Sequence, residues 1–190
     1  MSETFKSQIK DLVDDLKAVF THVGLGGEAA EYKLLTQSFL YKFLNDKFLY
    51  QAKAIDASNS YEKLIDMSEE DYTWLLKFIG TSTAWLKPDQ LIETLHRQQN
   101  EATFYETFEN TLNQIAIDNN DIFSVHTDGD TAIRLFDERL ITDTISDSSK
   151  RNEVAKAIIN LLARVKFDET IFSQGFDFFS TLFEYMIKDY

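Results

Sequence analysis

The feature that most constrains this chain is its near lack of helix breakers, since 190 residues contain one proline and six glycines. Proline removes a helical hydrogen bond and an internal glycine costs about 1 kcal/mol, so a chain with few of either favours long helices. Large apolar side chains are abundant, with 16 Phe and 8 Tyr. A chain of this length can bury roughly 70% of its unfolded surface. These properties predict one all-α domain, a single-domain multi-helix bundle.

Apolar residues recur three or four positions apart in several segments, which is the pattern of a helix with one buried face. The predicted helices cover residues 3–23, 28–54, 101–117, 150–165 and 176–188. Residues 121–136 leave two interpretations open, a short β-hairpin or irregular helical turns, and we favour helical turns. No internal repeat or long linker divides the chain, so we expect one domain over residues 1–190.

Single residues mark several helix ends. Ser68 followed by three acids is typical of an N-cap, and Gly80 is expected to end the helix that Ser68 begins. Pro88 suits the first turn of a helix that continues through residues 89–99. The glycine-rich stretch 24–27 has no preceding strand and no following Lys-Ser/Thr, as a phosphate-binding loop would need, so we interpret it as an interhelical turn.

The long helix over residues 28–54 carries an aromatic stripe that we interpret as core packing rather than as a ligand site, because aromatics at helical spacing usually fill interiors. The side chains predicted to face inward are Tyr32, Leu35, Phe39, Phe43, Phe48 and Leu49. Those predicted to face outward are Lys33, Lys42, Asp46 and Lys47.

No constellation in the sequence predicts a catalytic, cofactor-binding or metal-binding site. The chain has no cysteine, which excludes disulfides, zinc-thiolate sites and thiol catalysis. Glu93 and His96 form one Glu-x-x-His pair, whereas a di-iron bundle needs two such pairs, so a plain surface helix is the favoured interpretation. No segment approaches the length of a membrane span and the start lacks a signal-peptide pattern, so we expect a cytoplasmic protein without membrane contact.

The formal net charge of −13 argues against strong DNA binding by this chain alone, because DNA affinity comes mainly from cations that neutralise phosphates. Residues 1–100 carry 11 basic and 15 acidic side chains, and residues 101–190 carry 8 and 17. We interpret the cations after residue 149 as part of an ordinary solvated helix face rather than as a DNA-binding site. The candidate DNA-contact residues are Lys150, Arg151, Lys156, Arg164 and Lys166, with Lys42 and Lys47 as a lesser set.

The segment Ala30–Phe48, AEYKLLTQSFLYKFLNDKF, resembles a segment near the amino terminus of the methyltransferase subunits of type I restriction-modification systems. These subunits are N6-adenine DNA methylases. The last residues, Gln174–Tyr190, resemble the helix that leads into the catalytic domain of that family. The residues that carry the first resemblance are Glu31, Tyr32, Leu34, Leu35, Phe39, Leu40, Tyr41, Lys42, Phe43, Asp46 and Phe48.

The resemblance implies that residues 1–190 are the N-terminal helical domain of a larger methyltransferase, whose catalytic domain is not in this chain. The parent polypeptide would transfer methyl from S-adenosylmethionine to adenine N6 in double-stranded DNA. Its implied partners are a specificity subunit, a restriction subunit and a second methyltransferase subunit. The family's Asp/Asn-Pro-Pro-aromatic motif needs two prolines and this chain has one, so we expect no catalysis and no bound cofactor in this domain alone.

The alternative is a freestanding acidic helical interaction protein, and one form of it would mimic the charge of DNA. Its support is the net charge of −13. A mimic should array carboxylates along one face, whereas the acids here are interspersed with lysines along amphipathic helices. We therefore favour the methyltransferase domain.

Overall fold

The computed structural model describes residues 3–81, 83–123, 135–167 and 169–173, and within them it is all-α, with no strand. The predicted multi-helix fold is confirmed. The predicted helix over residues 176–188 and most of the 121–136 segment lie outside the described residues. A short helix, Asn120–Phe123, precedes the undescribed residues 124–134, and another, Leu140–Thr144, follows them.

The helices follow the apolar periodicity closely, and those predicted over 3–23, 28–54, 101–117 and 150–165 are confirmed to within a turn. Short 3-10 turns, Pro88–Gln90 and Ser148–Lys150, precede two of the helices. In chain order the α-helices are α1 Glu3–His22, α2 Ala29–Ile55, α3 Tyr61–Asp66, α4 Glu69–Ile79, α5 Ile92–Gln98, α6 Phe104–Asp118, α7 Asn120–Phe123, α8 Leu140–Thr144, α9 Arg151–Arg164 and α10 Thr170–Ser173.

Helix α2 lies at the centre of the bundle and packs against α1, α4, α8 and α9. Leu35 and Leu44 are both buried, and at about 100° per residue they stand on opposite sides of the helix. A helix with apolar residues on more than one side must be enclosed by others. The inward prediction for Phe39 and Phe48 is confirmed, since neither is exposed, whereas Tyr32 and Phe43 are half-buried against the core.

The outward prediction for Lys42 and Asp46 is wrong, since their side chains are only 5% and 14% exposed. The physical reason is the enclosure of α2, because residues that follow α9 cover the side of the helix that carries Lys42. Phe167 contributes a ring there, 5.5 Å from the Lys42 ammonium. A prediction from one apolar stripe assumes that the opposite side of the helix is in water. At Lys42 that side is covered by protein.

The predicted ends of α4 are confirmed. The Ser68 hydroxyl accepts a hydrogen bond from the Asp71 amide at 3.1 Å, and Gly80 follows the helix with φ of +66°, in the region that favours glycine. The predicted helix from Pro88 through residues 89–99 is broken, however, because Pro88–Gln90 is a 3-10 turn and Leu91 is extended. A contact from α2 accompanies this break, since the Ile92 amide donates to Asn45 Oδ1 at 2.9 Å.

Buried side chains hold the connection from α4 to α5 in place. The Tyr41 hydroxyl donates to the Gln90 carbonyl and the Tyr72 hydroxyl to the Leu86 carbonyl, each at 2.6 Å. Asn119, which is fully buried after α6, accepts from the Trp85 amide at 2.6 Å and donates to the Trp85 carbonyl at 2.9 Å. These bonds satisfy backbone groups that regular helices would satisfy internally.

Replacing Asn119 with alanine should lower the free energy of unfolding by about 2–3 kcal/mol, because both backbone groups of Trp85 lose their partner. Urea denaturation of the purified chain measures the change. Asn110→Ala is the matched control, since Asn110 lies exposed on α6, and it should change the free energy by less than about 0.5 kcal/mol. Equal midpoints for the two variants would contradict the role of Asn119.

Candidate functional site

The predicted DNA-contact residues of the α9 region do not form one cluster. Arg151 begins the helix and Arg164 ends it, so their backbones are about 20 Å apart along the axis. Lys150 precedes the helix, Lys156 lies half-buried within it, and Lys166 follows it exposed. Cations at both ends of a helix can meet phosphates only at separate points. DNA contact by these residues stays a prediction.

Two of these cations already have partners in the fold. The Arg151 Nε donates to the Ile145 carbonyl at 3.0 Å, so this guanidinium satisfies a carbonyl just beyond α8. The Arg164 guanidinium pairs with the Asp15 carboxylate at 2.6 Å and thereby joins α9 to α1. A phosphate that approached either guanidinium would compete with these contacts, although the Arg164 pair is exposed and contributes little to stability.

The lesser set of DNA-contact candidates, Lys42 and Lys47, is buried to different degrees. The Lys42 ammonium lies 3.0 Å from Asp46 Oδ2, and Asn45 Nδ2 donates to Asp46 Oδ1 at 3.0 Å. Burial lowers the pKa of Lys42, while the pairing with Asp46 raises it and nearby Lys166 lowers it further. Lys47 is half-buried with its ammonium 5.8 Å from the Phe43 ring, and burial lowers its pKa as well. Neither lysine presents a fully solvated cation.

The Lys42–Asp46 pair lies in a groove of about 440 Å³ between α2, the start of α5 and the residues around α10. Asn45 links two of these walls, because its amide contacts both Asp46 and the Ile92 backbone. Lys53 and Glu169 form an ion pair at the rim, 3.1 Å apart. Three parts of the fold therefore meet at this groove, around one buried ion pair.

Contacts within the fold occupy both side chains of the Glu-x-x-His pair. Glu93 pairs with Arg97 at 3.5 Å and His96 contacts Asn160 at 3.0 Å, so the two side chains of the Glu-x-x-His pair have separate partners. His126 lies outside the described residues. In the part of the chain that the structure describes, no three His, Cys, Asp or Glu side chains form a group that could hold a metal ion. In the same part, no helix is long and apolar enough to cross a membrane.

An exposed aromatic surface on α4 was missed by the sequence argument. Trp74 is 53% exposed and Phe78 is 72% exposed, and their ring centroids lie 6.5 Å apart. Ile55, at the end of α2, is 43% exposed and lines a second groove together with Trp74 and Phe78. We name these three residues the α4 face. The available signal was that Tyr72, Leu75 and Ile79 already supply the buried stripe of α4, which leaves its two other aromatics outside.

Comparison with protein-family models, with curated proteins and with solved structures finds no match to this chain.

Replacing Asp46 with alanine should lower the free energy of unfolding by about 3 kcal/mol, because it leaves the buried Lys42 charge without its partner. Lys42→Met should cost about 1 kcal/mol, since it removes that charge and leaves a carboxylate that still accepts from Asn45. The exposed pair gives the control, Lys53→Met, which should cost less than about 1 kcal/mol. A larger loss from Lys42→Met than from Asp46→Ala in urea denaturation would refute this order.

The lowered pKa of Lys42 has a consequence at alkaline pH. Between that pKa and the ordinary 10.5, the unfolded chain keeps a proton that the folded chain releases, so the contribution of Lys42 to stability rises with pH. The wild type should therefore gain stability relative to Lys42→Met as the pH rises from the lowered pKa of Lys42 towards 10.5. Tyr41 and Tyr72, whose raised pKa values come mainly from burial, are present in both proteins and cancel. A difference that is constant with pH would contradict the assignment.

Proposed function

We propose that this chain is the N-terminal helical domain of a type I restriction-modification methyltransferase subunit, and that its main role is contact with other subunits. The observation that carries the role is the α4 face, because two exposed aromatic rings on one helix are typical of a protein-binding surface. The parent enzyme would transfer methyl from S-adenosylmethionine to adenine N6 in DNA, in the cytoplasm. The specificity, restriction and second methyltransferase subunits are the candidate partners.

The family assignment is supported by the place of the resembling segment. Residues 30–48 are 19 of the 27 residues of α2, the central helix. Most of the residues that carry the resemblance are buried. A relationship to the family would therefore show as a shared helical core rather than as a shared catalytic or binding site. The buried ones are Glu31, Leu34, Leu35, Phe39, Tyr41, Lys42 and Phe48.

The distribution of charge favours subunit contact over DNA contact in this domain. The cations that could meet phosphate are divided between the two ends of α9, and two of them are used within the fold. A net charge of −13 repels DNA at long range. DNA contact in the proposed complex would therefore be local, through exposed Lys166 and its neighbours.

The freestanding acidic interaction protein is the second candidate, and the same α4 face favours it. A DNA mimic is the less favoured form, because many of the carboxylates are neutralised by cations of the same chain rather than displayed alone. Such pairs are Lys10–Asp14, Lys33–Asp137, Lys53–Glu169, Lys87–Asp118, Arg97–Glu62 and Arg164–Asp15.

The first test is to read the coding sequence beyond the Tyr190 codon. The proposal expects an open frame that continues into a domain with an Asp/Asn-Pro-Pro-Tyr/Phe motif, since that motif holds the flipped adenine in this class of enzyme. The longer polypeptide, purified with its subunits, should then transfer labelled methyl from S-adenosylmethionine to DNA adenine. A stop codon directly after Tyr190 would refute the methyltransferase proposal and favour the freestanding protein.

A further inference from the structure

We propose that the α4 face binds a cationic amphipathic helix of another protein. The inference rests on the proposed function, because it deepens the subunit contact by naming the chemistry of the partner. The surface is a groove of about 700 Å³ between the end of α2, α3 and α4. Met67 and Leu75 line it together with the three residues of the α4 face.

Apolar exposure is concentrated at this groove. Within the described residues, the exposed large hydrophobic side chains are those of the α4 face and Ile117 on α6. Single exposed apolar residues are normal on a protein surface, but three that line one groove form a patch, and patches of this kind mark binding sites. Trp and Phe are both enriched at protein interfaces, and Trp is frequent among the residues that dominate the binding energy.

The charge around the groove selects a cationic partner. The charged side chains that line the groove are Asp56, Lys63, Asp66 and Asp71, and Lys63 pairs with Asp56 at 3.2 Å. The acids Asp66 and Asp71 are joined by the nearby Glu69 and Glu70 of α4, against the one base Lys77 on that helix. The Trp74 ring already accepts a cation, since the Lys77 ammonium lies 4.7 Å from its centroid. A partner with lysine or arginine beside its apolar residues would find both acids and a ring face.

The same charges exclude two other occupants on electrostatic grounds. DNA would bring phosphates to a surface with a net negative charge. A second copy of this chain would bring another acidic groove rim and a further net charge of −13. Like charges brought together at an interface cost several kcal/mol, so a homodimer through this face is disfavoured.

The shape of the groove fits a helix. Trp74 and Phe78 are one turn apart on α4, and their rings are tilted by 35°, so together they form a ridge along the groove. A helical partner would place apolar residues at positions i, i+3 or i+4, and i+7 against that ridge. Its basic residues would flank the stripe and face Asp66 and Glu70, which are both exposed.

The probe is a tryptophan-free helical peptide of leucine and lysine, about 18 residues or five turns long, titrated into the full 190-residue chain. Binding is followed by calorimetry and by tryptophan fluorescence, because the emission maximum of Trp74 should shift to shorter wavelength when the peptide covers the ring. Trp74→Phe should remove that shift and leave the signal of Trp85. A lysine–serine peptide of the same charge measures binding by charge alone, and a leucine–glutamate peptide reverses the charge.

Phe78→Ala should weaken binding of the leucine–lysine peptide about tenfold, since it removes a central apolar contact without changing charge. Ile117→Ala is the matched control, because Ile117 is 54% exposed outside the groove, and it should leave the affinity unchanged. The double variant Asp66→Asn, Glu70→Gln should weaken binding about two- to fivefold and reduce its salt dependence. Circular dichroism of each variant checks that the fold is kept.

The inference is overturned if Phe78→Ala and Ile117→Ala bind the peptide equally, or if the lysine–serine peptide binds as well as the leucine–lysine peptide. Either result would mean nonspecific attraction to an acidic protein. Preference for the leucine–glutamate peptide would overturn the charge argument. These outcomes are independent of the coding sequence beyond Tyr190, so failure of the docking surface and failure of the methyltransferase proposal are distinguishable.

Discussion

The burial of α2 on several sides is the constraint on which the rest of the structure depends. Helices α1, α4, α8 and α9 all pack on it, and large side chains such as Phe39 and Phe48 have no exposed surface. No residue from Leu34 to Ala52 is exposed, so the polar residues in this part of α2 have no fully solvated side. Asn45 and Lys42 are therefore buried with partners, and those partners join the start of α5 and the chain after α9 to the central helix.

A helical bundle with few glycines and prolines needs another means of ordering its connections, and this protein uses buried polar side chains. Asn119 binds both backbone groups of Trp85, and Tyr41 and Tyr72 bind carbonyls of the same connection. Glu109 has a similar role at α8, where its carboxylate accepts from the Thr142 amide and hydroxyl. Each bond satisfies a group that would cost about 1–3 kcal/mol if it were buried without a partner.

The pairing of surface charges and the position of the exposed aromatic side chains both bear on function. Several cations are paired with carboxylates of other elements, as Arg164 is with Asp15 and Lys33 with Asp137. Aromatic exposure is instead gathered on α4, where Trp74 and Phe78 stand among acids. Protein contact is the role that this combination favours, and it agrees with the part that a helical domain would have in a multisubunit enzyme.

The sequence by itself determined the longer helices, because the spacing of apolar residues and the capping residues Ser68 and Gly80 act within a few positions of the chain. It also determined the core faces of α1, α6 and α9, whose apolar stripes are single. Only the tertiary structure decided the burial of Lys42 and the break at Leu91, since Phe167 and Asn45, which make the contacts there, are distant in sequence. Asn45 and Ile92 are 47 residues apart, and periodicity in one helix carries no information about which residues of another will cover it.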